Sequence, residues 1–257
     1  MAETTLRIGL AQFDIAWENR NSNLAHVESL LQFDEPIDLL ILPEMWSTGF
    51  TMRPKDMAEK HPGPALEWMK DHSQKLNLTI AGSIAVEDGG AYYNRWYCVF
   101  PEGKIEHYDK RHLFSFGKED LHYSPGQEHL IIEIKGWKIM PIVCYDLRFP
   151  VWCRNNTGYD LMVVSANWPT PRIHHWDALL KARAIENQCY IAAVNRIGSD
   201  DNGHHYPGHS TVFDMNGSAL LEMRDKEGIG IATLDKELLE KYREHFRFLQ
   251  DQDAFQL

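Results

Sequence analysis

The sequence has few cysteines, no long apolar run and no excess of basic residues. Its 257 residues contain four cysteines, and these form no C-x-x-C pair: Cys98, Cys144, Cys153 and Cys189. This spacing argues against a disulfide scaffold and against a structural zinc site. The amino terminus lacks the basic start and apolar core of a signal peptide, and no apolar stretch approaches the roughly 18 residues that span a bilayer. We therefore expect a cytoplasmic protein with reduced thiols and no membrane partner.

The charge balance argues against a nucleic-acid partner. Lys and Arg number 26 and Asp and Glu number 37, which gives a net charge of −11. A protein that binds the phosphate backbone needs a basic face. The sequence also has neither a Walker loop nor a G-x-G-x-x-G motif, so nothing indicates a nucleotide or dinucleotide cofactor.

Short apolar runs alternate with longer segments of helical spacing along the chain. Strands are predicted at 6–13, 38–42, 79–85, 92–100, 130–134, 137–144, 159–165, 189–195, 211–215, 218–223 and 228–234. Helices are predicted at 23–33, 62–76 and 174–188. Tight hairpins are expected at 135–136 and at the Asn-Gly pair 216–217. With no linker or repeat, the pattern predicts one α/β domain over 1–257, whose charged tail from about 236 packs on the surface or on a partner subunit.

Three chemically capable residues each follow an apolar or β-branched run. Cys144 follows the strand at 137–143, Glu44 follows the strand at 38–42, and Lys110 lies in the segment YDKRHLF. Functional residues collect at the carboxyl ends of strands in open α/β sheets. Each residue also has an ordinary structural interpretation: a packing cysteine, a surface or helix-terminal acid, and a lysine in a solvated turn.

These residue types suit nucleophilic catalysis if the fold brings them together. A carboxylate beside a buried strand can act as a general base. A lysine beside a thiol would lower the pKa of the thiol and stabilise a developing oxyanion. The histidines His204, His205 and His209 have a spacing that metal ligands can use, but no acidic or cysteine partner completes a set. We therefore predict no metal site.

Taken together, the chain resembles the nitrilase superfamily of carbon–nitrogen hydrolases over nearly its whole length. The motifs that carry this resemblance are LPEM at 42–45 with TGF at 48–50, YDKRHL at 108–113, and VCYDLRFP at 143–150. Three further segments resemble the bacterial omega-amidase branch: SANWP at 165–169, ARAIENQ at 182–188 and NRIG at 195–198. The resemblance implies an α-β-β-α four-layer sandwich, two subunits that pair to form a homodimer, and no metal or organic cofactor.

The resemblance also implies roles for individual residues. Cys144 is expected to be the nucleophile and Glu44 the general base. Lys110 and the backbone N–H of Tyr145 are expected to bind the oxyanion. The family has a further glutamate after the lysine, and Glu119 is assigned to it, although the adjacent Asp120 is an alternative.

The omega-amidase branch cleaves the terminal amide of 2-oxo-dicarboxylic acid monoamides such as 2-oxoglutaramate and 2-oxosuccinamate. The free carboxylate of such a substrate needs a cation. We expect Arg172 to supply it, with a solvated loop charge as the alternative, and Trp168 and Phe114 to wall the pocket. Arg183 borders an apolar stripe and is expected to be a structural ion-pair partner.

Three other functions are consistent with the sequence. A hydrolase of N-carbamoyl compounds or other small amides would use the same residues. A Cys–His hydrolase could draw on any of the thirteen histidines. A non-catalytic binding protein on a hydrolase fold is the third, but a binding role needs no glutamate, lysine and cysteine at these places.

Overall fold

The computed structural model describes residues 4–33 and 35–254. The strands of this part of the chain are β1 (Thr5–Gln12), β2 (Leu39–Ile41), β3 (Glu59–Lys60), β4 (Thr79–Asp88), β5 (Ala91–Val99), β6 (Ile105–Asp109), β7 (Ile132–Ile134), β8 (Trp137–Val143), β9 (Leu161–Ala166), β10 (Tyr190–Asn195), β11 (Ile197–Ser199), β12 (His205–Pro207), β13 (Ser210–Phe213), β14 (Ala219–Arg224) and β15 (Gly228–Asp235). The α-helices are α1 (Arg20–Leu30), α2 (Pro54–Met57), α3 (Pro64–Leu76), α4 (Ile173–Asn187) and α5 (Lys236–His245). Single turns of 3₁₀ helix lie at Ser115–Gly117, Glu119–Leu121, Cys144–Arg148, Thr170–Arg172 and Phe248–Asp251.

The described strands form two large mixed sheets. The first has the order β15-β1-β2-β4-β5-β6, with β3 beside β4, and the second has the order β14-β13-β10-β9-β8-β7. In each sheet the central strands are parallel: β1, β2 and β4 in the first, and β8, β9 and β10 in the second. Antiparallel strands complete both sheets, except that β3 pairs with β4 in parallel.

The two sheets pack face to face between layers of helix. On β2, Leu39 and Ile41 point into the core between the sheets, whereas Leu40 points into the core that α1 and α3 cover. This alternation follows from the two-residue period of a strand, and both faces of β2 are apolar because both are buried. Helix α4 covers the outer face of the second sheet with Trp176. The predicted α-β-β-α sandwich is confirmed.

Most predicted elements are present, with shifted ends. The helix predicted at 23–33 begins at Arg20, because the side chain of Asn19 caps it by accepting the N–H of Ser22. The hairpin predicted at 135–136 is confirmed by the pairing of Ile134 with Trp137. Strands β3, β6, β11 and β12 were not predicted, because they are short and carry polar residues that give no apolar alternation.

The carboxy-terminal helix α5 lies beside the segments that lead into the central strands β9 and β10 of the second sheet. Asp235 caps its first turn, and Leu239 is buried in the main core. Arg243 donates hydrogen bonds to the backbone oxygens of Gln188 (2.8 Å) and Tyr159 (2.7 Å). Like the other helices within 4–33 and 35–254, α5 lacks the length and apolar character needed to cross a membrane.

Candidate active site

The ends of strands from both sheets meet at one edge of the sandwich. Glu44 follows β2, Lys110 follows β6 directly, and Cys144 follows β8 directly. Ser165 on β9 joins the two sheets beside them, because its hydroxyl donates to the backbone oxygen of Leu42 (2.8 Å). Residues that are 34 to 100 positions apart in the sequence therefore share one site.

Lys110 lies between two buried carboxylates. Its Nζ donates to Oε1 of Glu44 (2.8 Å), to Oε2 of Glu119 (2.8 Å) and to Oε1 of Glu119 (3.1 Å). All three side chains are fully buried. The structure thus brings Glu119 against the lysine, whereas its neighbour Asp120 is exposed.

Burial and charge act against each other in this cluster. Burial lowers the pKa of Lys110, but the negative charges of Glu119 and Glu44 outweigh it and raise that pKa above its ordinary value. Burial also raises the pKa of Glu119; the positive charge of Lys110 opposes that rise and the charge of Glu44 adds to it. Lys110 is therefore a permanent ammonium.

Two further side chains complete the cluster, and neither was predicted from the sequence. The side-chain Nδ2 of Asn94 donates to Oε1 of Glu44 (2.8 Å) and to Oε1 of Glu119 (3.0 Å). Ser83 in turn donates its hydroxyl to Oδ1 of Asn94 (2.8 Å) and accepts the backbone N–H of Met45 (2.9 Å). Both lie on predicted strands. The alternation of side chains along a strand predicts which face of the sheet each side chain lies on, but it does not predict which residue that side chain contacts.

The second carboxylate oxygen of Glu44 is also held. Oε2 accepts the backbone N–H of Asn167 (2.9 Å), and the side-chain Nδ2 of Asn167 donates to the backbone oxygen of Glu44 (2.6 Å). Asn167 lies in the SANWP segment after β9, so this segment fixes the orientation of Glu44 from the opposite sheet.

Cys144 begins a 3₁₀ turn with a left-handed backbone, φ +45°. That conformation is uncommon for a residue with a Cβ and occurs where surrounding structure holds it. The charges of Glu44 and Lys110 both act on the thiol. Burial and then the charge of Glu44 raise the pKa of the thiol well above its ordinary value, although Lys110 opposes the shift. The expected lowering by Lys110 is thus present but outweighed, and the resting thiol is neutral.

Asp146 anchors the turn that carries Cys144. This buried carboxylate accepts four hydrogen bonds, from the backbone N–H of Val143 (3.0 Å), the hydroxyl of Tyr108 (2.8 Å), the backbone N–H of His112 (2.8 Å) and Nδ1 of His112 (2.9 Å). It therefore joins the cysteine turn to the segment that carries Lys110. The ring of His112 also stacks on Phe149, with centroids 3.7 Å apart.

A cavity of about 610 Å³ opens in front of Cys144. The three residues predicted to contact substrate, Phe114, Trp168 and Arg172, all line it, as does Tyr145. The guanidinium of Arg172 lies 5.2 Å from the ring centre of Phe114. The ring of Tyr145 packs edge-on against Phe114, with centroids 5.0 Å apart.

A second guanidinium in the cavity wall was not predicted, although it lies within the VCYDLRFP motif. Arg148 lies 4.7 Å from the ring centre of Trp168 and donates to Nδ1 of His175 (3.1 Å). Burial and then the charge of Arg172 lower the pKa of Arg148. Within the described residues neither Arg148 nor Arg172 forms an ion pair with a carboxylate, so both can bind an anion in the cavity.

The histidines with metal-like spacing point to different partners. His204 lines the cavity, His205 contacts the hydroxyl of Thr170 (2.9 Å), and His209 pairs with Asp177 (3.1 Å). In residues 4–33 and 35–254, no group of three or more His, Cys, Asp and Glu side chains is arranged to hold a metal ion.

The structure also bears on the Cys–His hydrolase alternative and on the expected structural role of Arg183. The charged groups that act most strongly on the Cys144 thiol are Glu44 and Lys110, not a histidine. Arg183 donates to the backbone oxygen of Leu147 (2.7 Å) and pairs with Glu186 (2.8 Å), so it is a structural residue, as predicted.

A thiol beside a buried carboxylate and an ammonium is an arrangement suited to cysteine-based hydrolysis. The sequence profile of the carbon-nitrogen hydrolase family matches residues 7–244. The chain belongs to this family and is a hydrolase that acts on amide carbon–nitrogen bonds.

Individual relatives cover nearly the whole chain. The chain is 42% identical to the omega-amidase YafV of Yersinia enterocolitica, over 99% of both chains. It is 38% identical to the 2-oxoglutaramate amidase of Bacillus subtilis, over 95% of this chain and 96% of that one. Its fold is similar to that of a CN-hydrolase superfamily protein from Xanthomonas campestris that carries an arsenic adduct in its active site: TM-score 0.96, 41% identity, 98% and 99% coverage.

Proposed function

We propose that the chain is an omega-amidase, which hydrolyses the terminal amide of a small 2-oxo-dicarboxylic acid monoamide, 2-oxoglutaramate or 2-oxosuccinamate, to the acid and ammonia. The observation that carries the proposal is the buried Glu44–Lys110–Glu119 cluster beside the Cys144 thiol. The cavity above it is lined by Arg148 and Arg172, whose guanidinium groups have no carboxylate partner among the described residues. The names of the relatives, an omega-amidase from Yersinia enterocolitica and a 2-oxoglutaramate amidase from Bacillus subtilis, support the same substrate class.

The first half of the reaction transfers the acyl group to the enzyme. Glu44 takes the proton from the Cys144 thiol as the sulfur attacks the amide carbon. The raised pKa of the thiol supports this order, because a neutral thiol needs a base at the moment of attack. The Lys110 ammonium and the backbone N–H of Tyr145 stabilise the oxyanion. The carbon–nitrogen bond then breaks, Glu44 returns the proton, and ammonia leaves a thioester on the sulfur.

The second half of the reaction repeats these proton transfers with water. Glu44 takes a proton from water while the oxygen attacks the thioester carbon. The carbon–sulfur bond breaks, the carboxylic acid leaves, and the sulfur recovers its proton through Glu44. Glu119 holds Lys110 in place through both halves, which its two hydrogen bonds to Nζ support.

Recognition of the substrate carboxylate is assigned to Arg172, with Arg148 as a second cation. A guanidinium binds a carboxylate through paired hydrogen bonds. The faces of Phe114 and Trp168 support the two groups and form the apolar walls beside them. A 2-oxo acid presents its carboxylate and keto oxygen at one end and its amide at the other, so the cations orient the amide toward Cys144.

The proposal is tested with matched substrates. The purified protein is assayed with 2-oxoglutaramate, 2-oxosuccinamate, glutamine and N-carbamoyl amino acids by ammonia release. We expect turnover of the two 2-oxo amides and an acyl adduct on Cys144 by mass spectrometry when a slow substrate is used. Turnover of the carbamoyl compounds alone would replace this proposal with the alternative activity. The absence of any adduct, together with unchanged activity in Cys144→Ala, would remove the thiol mechanism.

We further propose that residues 1–257 form one hydrolase domain that works as a homodimer in the cytoplasm. Exposed apolar side chains on and after α5 support contact with a second subunit: Leu238 is 53% exposed and Phe248 is 55% exposed. The free state of the four cysteines fits a reducing compartment. Sedimentation equilibrium of the wild type and of Leu238→Ser tests the assembly: a dimer that this change weakens is expected, and a wild-type monomer would contradict it.

A further inference from the structure

We propose that Asn94 is a positioning residue, whose side-chain amide holds the Glu44 and Glu119 carboxylates side by side in their charged forms and thereby sets the acid limit of catalysis. The inference rests on the proposed role of Glu44 as the base. It concerns a residue that lies on β5, outside the three sequence motifs, and that is fully buried.

The orientation of the Asn94 amide is fixed by a one-way chain of hydrogen bonds. The Ser83 oxygen accepts the backbone N–H of Met45 (2.9 Å), and the Ser83 hydroxyl donates its proton to the side chain of Asn94 (2.8 Å). The atom that receives that proton must be an oxygen. The NH₂ group of Asn94 therefore faces the two carboxylates, and a rotated amide would turn an oxygen toward both of them.

The geometry of the strands places Ser83 and Asn94 together. Asn94 on β5 is paired with Ala85 on β4, two residues after Ser83. Residues two apart on a strand share a face, so Ser83 and Asn94 are diagonal neighbours on the same side of the sheet. The two strands thus build the support for the carboxylates from a backbone that is rigidly hydrogen-bonded.

Charge explains why the cluster needs this amide. Two carboxylates share one ammonium, so the trio carries one uncompensated negative charge in a buried site. Like charges that share a buried site favour binding of a proton by one of them. Asn94 gives each carboxylate one further N–H, at 2.8 Å to Glu44 and 3.0 Å to Glu119, without adding a charge. Those bonds favour the form in which both carboxylates are ionised.

Other groups around the pair also bear on its ionisation. The titratable groups that act on it are Lys110 after β6, Cys144 after β8, Tyr123 after the Glu119 turn, and Tyr206 on β12. Lys110 favours the charged carboxylates, whereas the other three are neutral near pH 7 because burial raises the pKa of each. Asn94 therefore acts in the same direction as Lys110: both disfavour protonation of the Glu44 and Glu119 carboxylates.

The sign of the effect follows from these contacts. A hydrogen bond to the charged form of an acid lowers its pKa, so loss of the bond raises it. Glu44 must be ionised to take the thiol proton. If Asn94 no longer donates, the acid limb of the pH profile of kcat/KM moves to higher pH.

The test compares pH profiles of kcat/KM for 2-oxoglutaramate in the wild type and Asn94→Leu, which has a similar size and no donor. We expect the acid limb to move upward by about one pH unit or more. Ser83→Ala removes the bond that orients the amide, together with the acceptor for the Met45 N–H, and leaves the Asn94 amide itself in place; it should move the limb in the same direction by less. Ser165→Ala is the matched control: this buried hydroxyl contacts Leu42 and Trp96 but neither carboxylate, and its limb should not move.

The inference would be overturned if Asn94→Leu lowered kcat/KM by the same factor at every pH and left the acid limb unmoved. A merely structural residue would give that result. Ser83→Ala provides the shift independently if Asn94→Leu does not fold. A carbon-13 NMR titration of labelled glutamates, assigned with Glu44→Gln and Glu119→Gln, needs no turnover. If no amide is hydrolysed, the proposed function fails. If the titration midpoints of the two glutamates are the same in the wild type and in Ser83→Ala, only the inference on Asn94 fails.

Discussion

The buried polar cluster and the wall of the cavity satisfy their polar groups in opposite ways. We define the inner cluster as Glu44, Asn94, Lys110 and Glu119, and the cavity wall as Phe114, Arg148, Trp168 and Arg172. In the inner cluster, Lys110 makes three hydrogen bonds of 2.8 to 3.1 Å to carboxylates. In the wall, Arg148 and Arg172 lie over aromatic rings, and within the described residues neither has a carboxylate partner. The protein completes the first region, whereas a ligand is needed to complete the second.

This difference determines how substitutions should act. Removal of one member of a buried ion-paired set leaves a charge that nothing compensates, which is strongly unfavourable. Removal of a half-exposed cation leaves a site that water can fill. We therefore expect large effects on kcat from the inner cluster, and effects on KM for charged substrates from the wall.

The largest effect is expected for Lys110→Met. The change removes the proposed charged oxyanion donor and also leaves Glu44 and Glu119 facing each other without a cation. Loss of one oxyanion donor alone costs about 10²–10³ in kcat, so we expect a fall of about 10³ or more for 2-oxoglutaramate. Steady-state kinetics on variant protein with an unchanged circular dichroism spectrum checks this. A rate near that of the wild type would exclude the Glu–Lys–Cys scheme.

The next largest effect is expected in the wall, from Arg172→Met and Arg148→Met. A hydrogen bond to a charged group contributes about 1.5–3 kcal/mol, so kcat/KM for 2-oxoglutaramate should fall about 10- to 100-fold for the residue that binds the carboxylate, mainly through KM. Butyramide, which has no carboxylate, is the control substrate and should be little affected. Equal losses of kcat/KM with both amides would show that these cations do not bind the substrate carboxylate.

A smaller effect is expected for His112, which is bonded to Asp146 and so links the cysteine turn to the segment that carries Lys110. His112→Leu loses the side-chain bond to Asp146 and should lower kcat by about 10-fold, because one bond of about 1–1.5 kcal/mol steadies the cysteine turn. His112→Asn keeps a donor near the position of Nδ1 and should recover most of the rate. If the two variants are equally slow, the stacking on Phe149 and not the hydrogen bond is what matters.

The smallest effect is expected at the rim, for Phe116→Ala. Its side chain is 85% exposed although it borders the cavity. Exposed substitutions usually change free energies by no more than about 0.5 kcal/mol, or roughly twofold. A kcat/KM within about threefold of the wild type is expected. A much larger loss would mean that the aromatic wall extends outward to Phe116 once substrate is bound.

The sequence was most informative where function depends on residues at strand ends. The motifs around Glu44, Lys110 and Cys144 predicted residues that the fold does bring together, because the carboxyl ends of parallel strands meet at one edge. Asn94 and Ser83 were missed because they sit within strands, and their partners are set by packing between segments about 25 to 50 residues away.

The raised pKa of Cys144 and the presence of strand β6 also differ from expectation, and each has a physical cause that cannot be inferred from the local sequence. The pKa of Cys144 depends on a balance between burial, Glu44 and Lys110, and the depth of burial is known only once the sheets are packed. Strand β6 has the polar sequence IEHYD and becomes a strand through pairing with β5, as in the pair of Cys98 with Glu106. In the first case neighbours distant in sequence decide the outcome, and in the second the preceding strand does.

The volume of the cavity has a consequence for the design of inhibitors. At about 610 Å³ it falls within the range of sites that enclose drug-sized molecules, and a five-carbon acid amide is far smaller than that. Trp17, Arg53 and Phe116 also line it, and the side chains of Arg53 and Phe116 are exposed. A compound with an electrophile for Cys144, an acid for the guanidinium groups and an aromatic extension toward Trp17 would use contacts that no small amide reaches.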